Sequence, residues 1–202
     1  MIKSILITAI LFFGFNTNPS FYLPINSLDR QSTRSLLLTS IGEFGLLRKE
    51  RPGIPAHYHT GIDIKRPTDN YIDEPIFSIN KGIVISVRKD GPYAQLIIEH
   101  GSNQKFWTVY EHVAGIKVSL NEYVTPNLPI ARFMNKNELD KYGWQFDHLH
   151  FEILKTKPII IKKDPSNPER RYSTYGLHCF TKEDLSKYYY NPVEFLKRKF
   201  ID

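Results

Sequence analysis

Two histidines, His148 and His150, stand two residues apart in a segment with the alternating composition of a β-strand. Side chains alternate between the faces of a strand, so both imidazoles point the same way, about 6–7 Å apart, while Leu149 and Phe151 point to the opposite face. A buried imidazole needs polar partners, which makes the pair costly in a core but suits a metal site. An isolated His-x-His is more often two surface histidines on an edge strand, so a metal site needs further ligands.

Two such ligands, His59 and Asp63, are spaced i, i+4 across a glycine turn. Together with His150 they make two imidazoles and one carboxylate, a set that suits zinc with an open fourth position. The chain has no His-Glu-x-x-His motif, so the glutamate base of that class of metalloprotease is missing. His112 and His148 are the candidates for proton transfer, because an imidazole titrates near neutral pH.

Composition limits the classes of protein and of partner. The chain has 202 residues, a formal net charge of +6 and a single cysteine, Cys179, which excludes an internal disulfide and a cysteine-based zinc site. The positive charge favours contact with an anionic polymer, which could be nucleic acid, acidic lipid or an acidic bacterial wall. The basic residues are spread along the chain with no run that interleaves them with aromatics, so no nucleic-acid partner is predicted.

The N-terminal residues 1–20 are predicted to be a signal peptide or N-terminal anchor, because one lysine precedes an apolar run too short for a comfortable membrane span. A buried N-terminal strand is the remaining interpretation. We expect export to the periplasm, cell envelope or extracellular space, with no stable membrane span after signal removal. Residues 21–34 are polar and contain proline, which predicts a linker, and one domain is expected over residues 35–202.

The elements that must position these histidines are mostly strands. A first strand is predicted at Ser35–Ser40, and short β-prone segments separated by turns continue to Phe133, the pattern of an antiparallel, mainly β domain. Helices are predicted after Thr181 and after Asn191, each of which is followed by acidic residues suited to a first turn. Residues 156–190 include a long basic excursion and are predicted to be an insertion.

The chain resembles the lysostaphin/LytM-like zinc peptidases of bacterial cell walls, peptidase family M23, in four pieces that occur in the same order. These pieces are Phe44-Gly45 with Arg48, His59-Thr-Gly-Ile-Asp63-Ile, Thr108-x-Tyr110-x-His112, and His148-Leu-His150-Phe-Glu-Ile. The resemblance covers roughly residues 36–155 together with the C-terminal tail from Asn191.

This resemblance implies a fold, a site and a reaction. The fold would be mainly β, an antiparallel sheet or sandwich (the duplicated hybrid motif, LytM-like) with short peripheral helices and a C-terminal helix. His59, Asp63 and His150 would bind one zinc ion per chain, and His112 and His148 would be catalytic. A monomeric zinc metallo-endopeptidase would then hydrolyse peptide bonds in peptidoglycan, with the peptide as its partner. The alternative is a non-catalytic wall-binding module or an activator of other wall hydrolases, but such relatives usually lack some of these five residues.

The chain also departs from the pattern of this family. Its members usually carry a loop rich in Gly, Ser and Thr, and a proline just before His-Leu-His. Here the corresponding stretch is Met134–Asp147, expected to be a loop that borders the groove, where Tyr142 and Trp144 could stack on substrate. His57, two residues before a predicted ligand, is expected to be a solvated loop histidine.

Overall fold

The computed structural model of the protein describes residues 21–201, and the predicted signal or anchor segment at residues 1–20 lies outside them. The described strands are β1 (Leu47–Arg48), β2 (His57–Tyr58), β3 (Ile62–Lys65), β4 (Pro75–Phe77), β5 (Gly82–Arg88), β6 (Gln95–His100), β7 (Phe106–Glu111), β8 (Val113–Ala114), β9 (Tyr123–Val124), β10 (Pro129–Phe133), β11 (His148–Leu154), β12 (Ile159–Ile160), β13 (Tyr172–Ser173) and β14 (Tyr189–Tyr190). The described α-helices are α1 (Lys136–Tyr142), α2 (Lys182–Tyr188) and α3 (Pro192–Ile201). Within these residues, no helix has the length and apolar character that a membrane crossing requires.

Antiparallel pairing builds the domain, as the mainly β prediction required. The large sheet runs β14-β11-β7-β6-β5-β9, with β3 also paired to β11. A smaller sheet has the order β4-β10-β8, and two further strand pairs, β1-β2 and β12-β13, lie outside these sheets. Strand β11 is central, because β7 lies on one side of it while β3 and β14 share the other side.

Apolar clusters pack against both faces of the large sheet. In β6, Leu96 and Ile98 belong to the main core, which includes Phe133 of the smaller sheet, whereas Ile97 belongs to a second apolar cluster on the other face. Cys179 and the helix residue Leu185 lie in this second cluster. The predicted insertion 156–190 therefore supplies part of the cover for the second face of the sheet.

The start of the described chain differs from the predicted linker. Phe21, Leu23 and Ile25 are buried in the main core, at 9%, 0% and 1% exposure. Their backbone runs beside β4, where Phe77 donates its amide hydrogen to Pro24 and Ile25 bridges to Ile76. The first part of residues 21–34 is thus integral to the domain, because its alternating apolar side chains complete the core between the two sheets.

Two other local predictions need correction. Ser35–Ser40 does not form a strand: Thr33–Ser35 is a 3-10 helix, and the following residues are joined to β3 by the isolated Leu38–Ile64 bridge and by backbone hydrogen bonds. Met134–Asp147 is not a loop throughout, since it contains α1 and the 3-10 helix Trp144–Phe146. Asn135 caps α1 by accepting from the Glu138 amide while the Glu138 carboxylate accepts from the Asn135 amide.

The predicted C-terminal helices are confirmed. Thr181 caps α2 in a reciprocal capping box with Asp184. Asn191 accepts from the Val193 amide at the start of α3, and Pro192 holds the first helical position. The Glu194 carboxylate bonds Lys197 one turn on rather than the capping asparagine.

His100 is buried, and both of its ring nitrogens form hydrogen bonds inside the protein. The His100 Nδ1–H donates to the Lys81 carbonyl at 2.9 Å, and Nε2 accepts from the Thr108 hydroxyl at 2.7 Å. Burial lowers the pKa of His100 to about 4, because the charged form of the ring would be desolvated. The native state therefore holds this histidine neutral.

We expect this histidine to make the fold sensitive to acid. Its folded pKa lies below the unfolded value, so the unfolded state binds more protons between about pH 6.5 and 4, and stability falls as the pH is lowered through that range. The shift corresponds to a loss of about 3 kcal/mol in the free energy of unfolding. Urea unfolding of His100→Gln should show lower stability at pH 7 and a shallower decline toward pH 4. The exposed His178→Gln is the control and should follow the wild type. A His100→Gln curve parallel to the wild type would contradict the assignment.

Candidate metal and catalytic site

The register of three strands brings the predicted site residues together. Strand β11 pairs His150 with Asp63 of β3 on one side and with Glu111 of β7 on the other. His112 follows Glu111 directly, and His148 lies on the same face of β11 as His150. Strand pairing thus collects side chains that are far apart along the chain, while Leu149 and Phe151 fill the core on the opposite face.

Three potential ligand atoms converge at one point. His150 Nδ1 lies 2.9 Å from Asp63 Oδ1 and 3.1 Å from His59 Nε2, and His59 Nε2 lies 3.0 Å from Asp63 Oδ1. Among the described residues, these three form the group of His, Cys, Asp or Glu side chains with the spacing of a metal site. Two imidazoles and one carboxylate are a common ligand set for zinc.

The outer contacts of each ligand fix its orientation. His59 donates its Nδ1–H to the Glu43 carbonyl at 2.8 Å, which leaves Nε2 with a lone pair toward the site. His150 contacts the Glu152 carboxylate through Nε2 at 3.1 Å, which turns Nδ1 toward the site. Arg48 donates to Asp63 Oδ2 at 2.7 Å, so Oδ1 is the oxygen left for a ligand. Such outer partners orient the ligands of metal sites in general.

The electrostatics of this group favour a cation. Burial alone would lower the pKa of His150, but its hydrogen bonds to the Asp63 and Glu152 carboxylates outweigh burial and raise that pKa to about 10. Burial would raise the pKa of Asp63, yet the hydrogen bonds from His150 and His59 hold it far below its usual range. His150 therefore keeps its proton beside the ionised Asp63, and a metal ion can replace that proton, so the residues present fit a zinc ion.

This geometry requires the backbone at Gly61 to lie very close to that of β11. A Cβ on Gly61 would lie 3.0 Å from His150 Cε1 and still closer to the carbonyl oxygen of Phe151. Any side chain at residue 61 would push β3 away from β11, and with it Asp63 away from His150. Glycine in the His-Thr-Gly-Ile-Asp segment is therefore required by packing.

The two predicted catalytic histidines lie beside the ligand group. The rings of His112 and His148 meet edge to face at 4.9 Å between centroids, and His148 Nε2 lies 3.6 Å from Asp63 Oδ1. His112 donates its Nδ1–H to the Pro92 carbonyl at 2.6 Å, so its Nε2 carries the lone pair. Burial lowers the pKa of His148 to about 4 and also lowers that of His112, which leaves both rings neutral near pH 7.

Two residues at this site, Glu152 and Phe146, were missed by sequence reasoning. Glu152 is 2% exposed and accepts from both Thr60 and His150. The alternation that pairs His148 with His150 also places Glu152 on the same face, so a signal for it was present. Phe146, whose ring lies 5.0 Å from that of His112, has no comparable signal in the sequence.

His57 is not the solvated histidine that we expected. It is 8% exposed, lies in β2, and bonds the Pro55 carbonyl through Nδ1 at 2.8 Å. The turn before β2 provides this partner, which the sequence pattern alone did not reveal. His57 is nevertheless not part of the three-residue ligand group.

Comparison with known proteins places the chain in a family. The sequence profile of peptidase family M23 matches residues 57–168, which is more than half of the chain. No curated protein gives a significant match. Among solved structures, CbpA from L. salivarius REN is 14% identical with a TM-score of 0.53, and the match covers 91% of this chain and 99% of that one. Lysostaphin from Staphylococcus simulans is 16% identical with a TM-score of 0.52, covering 91% of this chain and 56% of lysostaphin.

A zinc containing peptidase from Vibrio cholerae is 30% identical with a TM-score of 0.48, covering 66% of this chain. The present chain spans 36% of that peptidase. The two likenesses above a TM-score of 0.5 show a shared fold, the lysostaphin type of β domain. Given the profile match across the strands that carry the ligand group, the chain belongs to peptidase family M23.

Proposed function

We propose that this protein is a zinc metallo-endopeptidase that hydrolyses peptide bonds in bacterial peptidoglycan. The observation that carries the proposal is the meeting of three ligand atoms, from His59, Asp63 and His150, with two neutral histidines beside them. A non-catalytic wall-binding module would have no use for such a set, because the two additional imidazoles neither complete the ligand group nor belong to the core.

His59, Asp63 and His150 would hold the zinc ion. Zinc bound there would act as a Lewis acid, which polarises the scissile carbonyl and makes water a stronger nucleophile near neutral pH. The chain's part is to keep the ligands oriented, through the contacts of Glu43, Arg48 and Glu152.

Proton transfer falls to His112 and His148. Hydrolysis of a peptide bond requires a base that removes a proton from the attacking water and an acid that gives one to the departing amine. His112 is suited to both through Nε2, because Nδ1–H remains on the Pro92 carbonyl throughout. His148 directs Nε2 toward the ligand group, where it can donate to oxygen that becomes negative during the reaction.

The setting of the reaction belongs to the same proposal. We propose export to the cell envelope on the basis of the apolar residues 1–16, and a positive net charge of +6 would favour contact with an anionic wall. The peptide part of peptidoglycan would be the partner, bound by a monomer.

The proposal is tested with purified protein and isolated sacculi. We expect zinc at about one ion per chain by elemental mass spectrometry, a content typical of a site with three protein ligands. Mass spectrometry of the digested wall should show new free amino and carboxyl groups at a peptide bond, with the glycan strands intact. A zinc-loaded protein that binds sacculi but leaves their cross-linking unchanged would instead identify a wall-binding module.

A further inference from the structure

Arg66 holds both ends of the helical segment that precedes the His-Leu-His strand. This segment, residues 135–146, contains α1 and the 3-10 helix Trp144–Phe146. Arg66 donates to the Met134 carbonyl, just before the segment, at 2.6 Å, and to Asp147 Oδ1, just after it, at 2.7 and 3.0 Å. One guanidinium thus closes the base of the segment.

This clamp, formed by Arg66 with Met134 and Asp147, is charged and largely buried. The Arg66 side chain is 4% exposed and that of Asp147 is 18% exposed. The guanidinium carbon lies 4.5 Å from the Tyr71 ring centroid and 5.0 Å from that of Phe133. Removing one partner of a pair in such surroundings leaves the other charge desolvated and unpaired, so the clamp resists opening.

The segment ends on the proposed catalytic histidine. Phe146, the residue before Asp147, places its ring 5.0 Å from the ring of His112 and 5.6 Å from that of Tyr93. His112 lies between β7 and β8 and has a positive φ of 63°, so it is not itself part of a paired strand. Its ring is held by the Pro92 hydrogen bond at one nitrogen and by aromatic packing elsewhere.

We infer that Arg66, through its ion pair with Asp147, is a positioning residue that keeps Phe146 against His112. This role rests on the proposed function, because it matters for catalysis only if His112 transfers a proton.

The test is a cycle of Arg66→Gln, Phe146→Leu and the double variant, assayed on a soluble cross-linked muropeptide. We expect each single variant to lower kcat about tenfold, since small displacements of a catalytic group cost one to two orders of magnitude, with KM nearly unchanged. If Arg66 acts through Phe146, the double variant should be no slower than the slower single variant. Zinc content should stay at the wild-type value.

Arg132→Gln is the matched control. Arg132 pairs with Glu138 of α1 at 2.6 and 3.0 Å, so it anchors the same helix without contacting His112 or Asp147. We expect its kcat to remain within about twofold of the wild type, as for a structural ion pair away from the chemistry. An equal loss of kcat in Arg132→Gln and Arg66→Gln would reduce Arg66 to a general stabiliser of α1 and overturn the inference.

An NMR readout separates this inference from the proposed function. The carbon-bound ring protons of His112 should show a ring-current shift from Phe146, which Phe146→Leu removes and Arg66→Gln diminishes. If Arg66→Gln does not fold, Arg66→Lys replaces it, because lysine keeps the charge but lacks the planar fork needed to bond both Met134 and Asp147. Unchanged His112 signals would overturn the positioning role even in an active enzyme. A wild type without hydrolysis would refute the proposed function, while altered signals would still support the contact.

Discussion

Replacing His150 by alanine is expected to remove both zinc and wall hydrolysis. His150 Nδ1 lies 2.9 Å from Asp63 Oδ1 and 3.1 Å from His59 Nε2, so it completes the group of three atoms proposed to hold zinc. Without it, one imidazole and one carboxylate remain, which is too few for a site with three protein ligands. Elemental analysis after gel filtration should find zinc near zero, and dye release from labelled sacculi should fall to background.

The same substitution also tests the outer contacts. Glu152 would lose the N–H of His150 while remaining buried with Thr60 as its partner, and losing a hydrogen-bond partner of a buried group costs about 1–3 kcal/mol of stability. His150→Ala must therefore be shown to be folded, by its near-ultraviolet circular dichroism, before its zinc content is interpreted. His178→Ala serves as control, because His178 is exposed and lies outside the ligand group. A folded His150→Ala protein that still holds about one zinc per chain would contradict the ligand assignment.

Regular alternation and motif order made this ligand group predictable. The two-residue period of β11 required His148 and His150 to share a face, and the structure places both there, beside Asp63 of the neighbouring strand. Local signals also sufficed for the helices that begin after Thr181 and Asn191, because a capping side chain bonds amides within its own turn.

Contacts between distant segments could not be predicted in the same way. Arg66 and Asp147 are 81 residues apart, and neither residue alone indicates its partner. The burial of Phe21 and Leu23 depends on a gap between two sheets that exists only after folding. Such packing is decided by the complete fold, whereas polarity and proline content of residues 21–34 favour a linker.

The prediction of a loop where α1 lies was wrong for a different reason. Asn135 and Glu138 have the spacing of a capping box, and Gly143 stands where a helix of this length would end. The signal was therefore local, but comparison with a family that carries a loop at this place outweighed it. Residues that depart from a family pattern need to be interpreted by their own local chemistry.

Replacing His112 is expected to separate catalysis from zinc binding. His112 does not belong to the three-residue ligand group, yet its ring lies 4.9 Å from that of His148 and 6.3 Å from that of His150. A positioned general acid or base contributes about 10²–10⁴-fold to rate, so hydrolysis should fall by that factor while zinc content stays unchanged. His148→Ala should give a similar result, because it removes the neighbouring neutral imidazole.

The backbone at His112 decides which variant is informative. Its φ of 63° lies in the left-handed region, where alanine is strained and asparagine is tolerated. His112→Asn therefore removes the imidazole with less disturbance of the turn between β7 and β8 than His112→Ala. The thermal midpoint of unfolding should be higher for His112→Asn than for His112→Ala. If His112→Asn retained zinc and the full rate of wall hydrolysis, the proton would have to be transferred elsewhere. His148 would then be left as the sole neutral imidazole beside the ligand group, and His148→Ala alone should abolish hydrolysis.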